Sequence, residues 1–87
     1  MSTAKVRDSV PRIVSVKVTD AEIVARFHDG RSVAVPLSWS RRLERATPRQ
    51  REHYELISDG EGVHWPDVDE DLSAQGFLTG GPSHRAV

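Results

Sequence analysis

The chain has 87 residues and a mass of 9.7 kDa, which is enough for one small domain but not for two separate hydrophobic cores. Apolar residues make up 37% of it and charged residues 29%, proportions typical of a soluble globular chain with a small core. The net charge is −1, and the absence of cysteine excludes disulfides, thiolate nucleophiles and cysteine-based zinc sites.

The small net charge conceals an uneven distribution along the chain. Residues 1–51 carry eleven Lys and Arg against five Asp and Glu, whereas residues 52–84 carry eight Asp and Glu and neither Lys nor Arg. Uneven charge of this kind indicates interaction with a charged partner, although it does not identify one.

Both ends of the chain lack hydrophobic periodicity. Residues 1–12 and 80–87 mix small, charged and turn-forming residues, and we predict that they are flexible tails on a single domain over residues 13–79. The first residues lack the apolar stretch of a secretory signal, and no run approaches the roughly 20 apolar residues of a membrane span. We therefore expect a cytoplasmic protein that does not contact membranes.

Three segments near the start of the domain alternate between apolar and polar residues, as half-buried strands do. Their inward-facing residues are expected to be Val14, Val16 and Val18, then Ile23, Ala25 and Phe27, then Val33, Val35 and Leu37. Asp29-Gly30 predicts a two-residue hairpin turn with positive φ at both positions. The pattern predicts a three-stranded antiparallel meander whose third strand ends, or lies at an edge, at Pro36.

The hydrophobic period changes after the third strand. Trp39, Leu43 and Ala46 form one helical stripe, with Ser38 as a candidate N-cap. The sequence Thr47-Pro48-Arg49-Gln50 has the cap, proline and glutamine that start a second helix, expected over residues 48–57. That helix is expected to bury Tyr54, Leu56 and Ile57. The two helices could also be one kinked element.

The sequence of the last third of the domain predicts one more strand and a short helical turn. Residues 58–62 end the second helix, and residues 63–65 form a fourth short strand that stops at Pro66. An acidic stretch then leads to a short apolar turn around Leu72, Phe77 and Leu78, with Asp69 or Ser73 as its cap. The predicted class is α+β: a small antiparallel sheet, made of the meander and the fourth strand, packed against two or three short helices. Trp39 and Trp65 are expected in the core.

Five arginines within eleven residues of the predicted helices are candidate partner-binding residues: Arg41, Arg42, Arg45, Arg49 and Arg51. Guanidinium groups bind carboxylates and phosphates through charge and forked hydrogen bonds. Three interpretations remain open: a solvated face balanced by the domain's own acids, a surface for an acidic protein, or a surface for nucleic acid. A sequence pI near 6.4 and the lack of a glycine turn between the helices argue against nucleic acid.

Alternating acids provide the second set of candidates, Asp67, Asp69 and Asp71. They resemble the start of a calcium loop, but the required glycine and glutamate are replaced by Leu72 and Leu78. A basic partner could dock on these acids. The four histidines are scattered and fix no third metal ligand. Because no nucleophile elbow or phosphate-binding loop is present either, we expect no metal, no cofactor and no enzymatic activity.

Several short motifs recur in a specific order along the chain. They are Phe27-His28-Asp29-Gly30-Arg31, Val35-Pro36-Leu37-Ser38-Trp39, Ala46-Thr47-Pro48, Gly62-Val63-His64-Trp65-Pro66-Asp67, Asp71-Leu72-Ser73 and Gly76-Phe77-Leu78. As an ordered set, covering about residues 13–80, they resemble the prokaryotic domain-of-unknown-function family DUF2442. The resemblance implies a small α+β domain without established catalytic residues. It also implies a small companion protein encoded alongside, in an arrangement similar to toxin–antitoxin pairs.

The sequence therefore predicts a non-enzymatic interaction domain, in the form of an antitoxin-like partner of a small companion protein. The alternative function is a nucleic-acid-binding or transcription-regulatory module that uses the arginine-rich helical face. A homodimer is also consistent with so small a core.

Overall fold

A computed structural model describes residues 10–81 of the chain. Residues 1–9 and 82–87, which make up most of the two predicted tails, lie outside the described residues. In chain order the elements are β1 (Ile13–Val18), β2 (Glu22–Phe27), β3 (Ser32–Pro36), a 3₁₀ turn (Leu37–Trp39), α1 (Arg41–Glu44), α2 (Pro48–Glu52), β4 (Glu55–Ile57), β5 (Gly62–Trp65), β6 (Glu70–Ser73) and α3 (Ala74–Thr79). None of the helices in residues 10–81 is long and apolar enough to cross a membrane.

The predicted meander is confirmed as sheet A, in which β1, β2 and β3 pair in that order and antiparallel. The inward-facing residues of β2 alternate as expected, since Ile23, Ala25 and Phe27 are all buried. Strand β3 lies at an edge and ends at Pro36, as a residue without an N–H donor requires. Sheet A therefore follows directly from the period-two pattern and its local turns.

The prediction that Val14 faces the core is wrong. The pairing of β1 with β2 shifts between Ile13 and Ser15, which marks a β-bulge. The extra residue breaks the alternation, so that Ile13 is buried and Val14 is 43% exposed. The bulge thus turns a large aliphatic side chain toward solvent.

The β2–β3 turn also differs from the prediction. It has three residues, His28-Asp29-Gly30, and only Gly30 has positive φ, at 97°. The Gly30 N–H donates to the Phe27 carbonyl at 2.9 Å, and the Asp29 carboxylate accepts from the Arg31 N–H at 3.1 Å. In a three-residue hairpin loop only the last residue needs positive φ to match the twist of the strands. Gly30 takes that position, so Asp29 does not need positive φ.

The helical stripe predicted from Trp39 to Ala46 is divided at Ser40, which has extended backbone angles. Ser40, and not Ser38, caps α1, because its hydroxyl accepts from the Leu43 N–H at 3.2 Å. The predicted capping box of α2 is confirmed, with Thr47 and Gln50 bonding each other's backbone N–H. The two helices are therefore separate elements with separate caps.

The prediction that the second helix continues to residue 57 is wrong. Helix α2 ends at Glu52, and residues 55–57 form β4, where Leu56 and Ile57 are each 39% exposed. A turn at residues 58–60, all with positive φ, folds β4 back onto β5. Within it, a side chain on Gly60 would lie 2.5 Å from the Ile13 carbonyl oxygen, so only glycine fits.

Strands β4, β5 and β6 form a second antiparallel sheet, sheet B. The predicted fourth strand is β5, whereas β6 comes from the end of the acidic stretch. It includes Leu72, which the sequence placed in the last apolar turn, because pairing with Val63 on β5 makes Leu72 part of the sheet. Asp69, with φ of 55°, lies in the turn before β6, and Ser73 caps α3 by accepting from the Gly76 N–H at 2.9 Å. The α+β class is confirmed, with the strands divided between two three-stranded sheets instead of joined in one.

The core lies between the two sheets and the helical segments. Trp65 is fully buried and donates its indole N–H to the Arg51 carbonyl at 3.0 Å. Phe27 and Phe77 pack edge to face with ring centroids 6.4 Å apart. Trp39 is partly buried and packs against the same cluster, so both tryptophans contribute to the core as predicted.

Candidate interaction surface

The five candidate arginines separate into two groups in the structure. The guanidinium groups of Arg42 and Arg51 bind other parts of the domain. Arg41, Arg45 and Arg49 are exposed, and their guanidinium groups form no hydrogen bond or ion pair with any residue in 10–81. We call these three residues the arginine face.

Arg51 has a structural role and is not part of the exposed surface. Its side chain is 10% exposed and donates to the carbonyls of Leu43 at 2.9 Å and Glu44 at 3.1 Å. These carbonyls lie at the end of α1, where a cation is stabilising, and the Leu43 carbonyl also accepts from the Ala46 N–H at 3.1 Å. A further bond joins Arg51 to the Asp20 carboxylate at 2.9 Å. Arg51 therefore fixes α1 relative to α2 and to the β1–β2 turn.

Two more contacts fix α1 to sheet B. The Ser40 hydroxyl donates to the buried Glu70 carboxylate at 2.6 Å, and the Arg42 guanidinium donates to the Asp69 carbonyl. Ser40 is fully buried and Glu70 is 2% exposed, while Asp71 donates its N–H to the second Glu70 oxygen at 3.0 Å. Three contacts therefore fix the backbone that carries the arginine face: the Ser40–Glu70 bond, the Arg42–Asp69 bond and the bonds of Arg51.

The arginines of the face are four residues apart in sequence. Arg41 is the first residue of α1, Arg45 is its C-cap one turn later, and Arg49 follows in the first turn of α2. Helices α1 and α2 have only four and five residues, so Arg41 and Arg49 lie in the first and the last turn at once and the helix dipole gives a cation there no clear preference. Helix electrostatics therefore does not account for arginine at these positions. The exposed Glu44 and Glu52 lie on the same helices, and the segment keeps a net positive charge.

Each of the three acidic candidates lies beside a cation or a histidine. The Asp67 carboxylate is 2.9 Å from Nδ1 of His53, and the Asp69 carboxylate is 3.7 Å from Arg42. Asp71 hydrogen-bonds Nδ1 of His64 directly across the β5–β6 pair. All three acidic candidates therefore have a charged or histidine partner within the domain. The three residues of the arginine face have none in residues 10–81.

His64 lies in a row of charged residues on sheet B. Its register partners are Glu55 on β4 and Asp71 on β6. The Asp71 carboxylate accepts a hydrogen bond from His64 Nδ1, and this raises the pKa of His64 above its ordinary value. Desolvation lowers the pKa, while the negative charges of Asp71, Glu55 and Asp69 raise it further. The acidic neighbours of His64 therefore favour its protonated form.

The stretch from Asp67 to Asp71 has the geometry of a strand connection and not of a calcium loop. It forms the β5–β6 turn and the start of β6. Across residues 10–81, no three histidine, aspartate or glutamate side chains come together as a metal site requires.

The family model described as "Protein of unknown function (DUF2442)" matches residues 13–83, which is most of the chain. The chain belongs to the DUF2442 family. This DUF2442 domain is similar to the crystal structure of a protein of unknown function from Rhodospirillum rubrum, with 28% identity and a TM-score of 0.72, covering 87% of this chain and 94% of that one.

A solution NMR structure of an uncharacterised protein from Chromobacterium violaceum also has this fold. It is 22% identical to the DUF2442 domain, with a TM-score of 0.75, and the match covers 97% of this chain and 79% of that one. No protein of curated function matches the chain.

Sequence reasoning missed the buried Ser40–Glu70 pair and both histidine–aspartate pairs of the DUF2442 domain. Glu70 and Leu72 share the inner face of β6, so alternation within the acidic stretch could have indicated a strand. The pairs themselves join residues from separate elements, so no local pattern identifies them.

Proposed function

We propose that this DUF2442 domain is a non-enzymatic, cytoplasmic interaction module that binds an acidic surface of a small companion protein through Arg41, Arg45 and Arg49. The observation that carries the proposal is the arginine face itself: three exposed guanidinium groups without partners in residues 10–81. The family resemblance supports an antitoxin-like pairing with a companion encoded alongside.

The physical argument begins with the support beneath the arginine face. The Ser40–Glu70 and Arg42–Asp69 contacts, together with Arg51, hold the backbone of α1 and the start of α2 in place. A fixed backbone reduces the conformational entropy that binding would otherwise cost. Arginine can then form two parallel hydrogen bonds with a carboxylate, which a lysine cannot.

An acidic protein fits this surface better than a nucleic acid does. Helices α1 and α2 have four and five residues, so neither presents the several turns of a groove-reading helix. Glu44 and Glu52 lie among the arginines and lower the density of positive charge, whereas affinity for nucleic acid depends on neutralising many closely spaced phosphates. Binding to nucleic acid through the same face is the alternative outcome of the test.

The test is co-purification of the full chain with the protein encoded beside it. We expect the wild-type chain to retain the companion and a variant with Arg41→Glu, Arg45→Glu and Arg49→Glu to lose it, because attraction becomes repulsion at three positions. Arg26→Glu is the matched control. Arg26 is exposed on β2, outside the arginine face, and its substitution should leave the complex intact.

Two results would contradict the proposal. One is failure of the wild-type chain to retain the companion, and the other is equal loss in the triple variant and in Arg26→Glu. A mobility shift with DNA or RNA that weakens steeply between about 50 and 200 mM salt, and disappears in the triple variant, would establish the alternative.

A further inference from the structure

Sheet A has a free edge along β3. Hydrogen-bonded and non-hydrogen-bonded pairs alternate along an antiparallel ladder, and the Phe27 N–H donates to the Arg31 carbonyl at 2.9 Å. Ser32 and Ala34 therefore lie at non-hydrogen-bonded positions, with their N–H and C=O groups pointing away from β2. Both residues are exposed, and within residues 10–81 no hydrogen bond satisfies these groups. The edge of β3 thus presents unpaired backbone donors and acceptors to solvent.

Each of the other outer strands is protected against pairing. In β1 the Val16 N–H donates to the Tyr54 hydroxyl at 3.1 Å, and in β6 the Asp71 N–H donates to the Glu70 side chain at 3.0 Å. Strand β4 has only three residues and begins with Glu55. Folded proteins cover, charge or shorten their edge strands to prevent the addition of another strand. Strand β3 has five residues, none of them charged, so it is the edge that can accept one.

The sequence of β3 matches itself in the antiparallel direction, which favours a second copy of the chain as the added strand. With a two-fold axis at Ala34, the two Ala34 residues pair with each other, and Ser32 of each copy lies opposite Pro36 of the other. Pro36 has no N–H, but in this register it only needs to accept. Every outward N–H of Ser32 and Ala34 then donates to a carbonyl of the other copy.

The valine side chains favour the same register. Val35 is buried on the inner face of sheet A, and Val33 is partly buried beside it. Across the axis each Val33 lies opposite Val35 of the other copy, so the apolar inner face continues from one sheet into the next. A register centred on Val33 would instead place Arg31 opposite Val35. Because β3 carries no charge, no like charges of this strand face each other across the axis.

We propose that two copies of this chain associate edge to edge through β3 and join their two copies of sheet A into one continuous antiparallel sheet. Backbone hydrogen bonds of Ser32 and Ala34 hold the two copies together, and the valine pairs bury the inner face at the junction. None of the three residues of the arginine face belongs to β3, so this association does not depend on the proposed function.

The test is sedimentation equilibrium of the full chain over about 5 to 500 µM, a range that covers micromolar dissociation constants. We expect the wild type to form a dimer and Ala34→Lys to weaken dimerisation by about tenfold or more, because two ammonium groups then face each other at the axis. Ala21→Lys is the matched control. Ala21 is the other exposed alanine of residues 10–81 and precedes β2, one strand away from the free edge, so its substitution should leave the dimer intact.

Amide hydrogen exchange of the wild-type chain tests the interface without a substitution. We expect the N–H groups of Ser32 and Ala34 to exchange slowly at the concentration where the dimer dominates and rapidly in Ala34→Lys. Circular dichroism verifies that both lysine variants fold. A wild-type chain that stays monomeric over the whole range would overturn the proposal. A dimer in which Ser32 and Ala34 still exchange rapidly, or which Ala34→Lys and Ala21→Lys form equally well, would also overturn it, because the edge of β3 would then not be the interface.

Discussion

Individual side chains of this domain join elements that are far apart in sequence. Ser40 and Glu70 are 30 residues apart, and their hydrogen bond connects the cap of α1 to the inner face of β6. A charged group as buried as Glu70 is tolerated only where its oxygens are hydrogen-bonded. Within residues 10–81, no buried side-chain nitrogen or oxygen lacks a partner.

We predict that Ser40→Ala lowers the free energy of unfolding by about 2–4 kcal/mol, because the helix loses its cap and the Glu70 carboxylate loses a hydroxyl donor. Urea unfolding measures the change. Ser38→Ala is the control, since Ser38 is exposed and its change should stay within about 0.5 kcal/mol. Similar losses in both variants would contradict the role assigned to Ser40.

Substitutions at Gly30 and Gly60 allow the cost of a left-handed backbone to be measured separately from the cost of a steric clash. Gly30 and Gly60 have similar φ angles, 97° and 105°, but a side chain at Gly30 meets open space, whereas one at Gly60 lies 2.5 Å from the Ile13 carbonyl. We predict that Gly30→Ala costs about 1–2 kcal/mol from its left-handed backbone alone, and that Gly60→Ala costs more. Thermal unfolding measures both, and equal costs would show that Ile13 does not pack closely on the turn.

Among the elements, sheet A could be predicted from sequence and sheet B only in part. The strands of sheet A alternate clearly and are joined by short local turns, so neighbouring residues specify them. Residues 55–57 continue a helical pattern, and only pairing with β5 makes them a strand. Strand β6 begins with Glu70, whose burial depends on a hydroxyl from another element. Pairings between distant residues, and the bulge at Val14, leave no local sequence signal.

The same distinction applies to the candidate surface. Arginine spacing alone could identify a basic segment but could not separate Arg51 from Arg41, Arg45 and Arg49. The carbonyls that bind Arg51 come from the end of α1, and its carboxylate partner lies 31 residues earlier, at Asp20. Which arginines remain exposed is decided by the tertiary fold.

Sheet B makes stability depend on pH through His64. The folded-state pKa of His64 is raised above 6.5, so the protonated form stabilises the fold below that pH, and this stabilisation is lost as pH rises through the raised pKa. We predict that Asp71→Asn lowers the His64 pKa more than Glu55→Gln does, because the Asp71 carboxylate accepts the hydrogen bond from His64. Titration of the imidazole signals by NMR measures this. A His64 pKa that does not respond to Asp71→Asn would contradict the assignment.

At the scale of the whole molecule, folding pairs part of the unevenly distributed charge. The ion pairs Arg12–Glu61 and Arg42–Asp69 join the basic half of the sequence to the acidic half, at 3.9 and 3.7 Å. Exposed pairs at such distances contribute little to stability, about 0–1 kcal/mol each. Within residues 10–81 these contacts leave Lys17, Arg26 and the arginine face free, and only the arginine face gathers three such cations on neighbouring helices, so it is there that we place the partner.

The affinity of the companion protein for single arginine variants tests this account most directly. Isothermal titration calorimetry of the full chain should show that Arg41→Glu, Arg45→Glu and Arg49→Glu each weaken binding by about tenfold, with Arg26→Glu unchanged. Equal affinities for all four variants and the wild type would contradict the assignment of the arginine face as the binding surface.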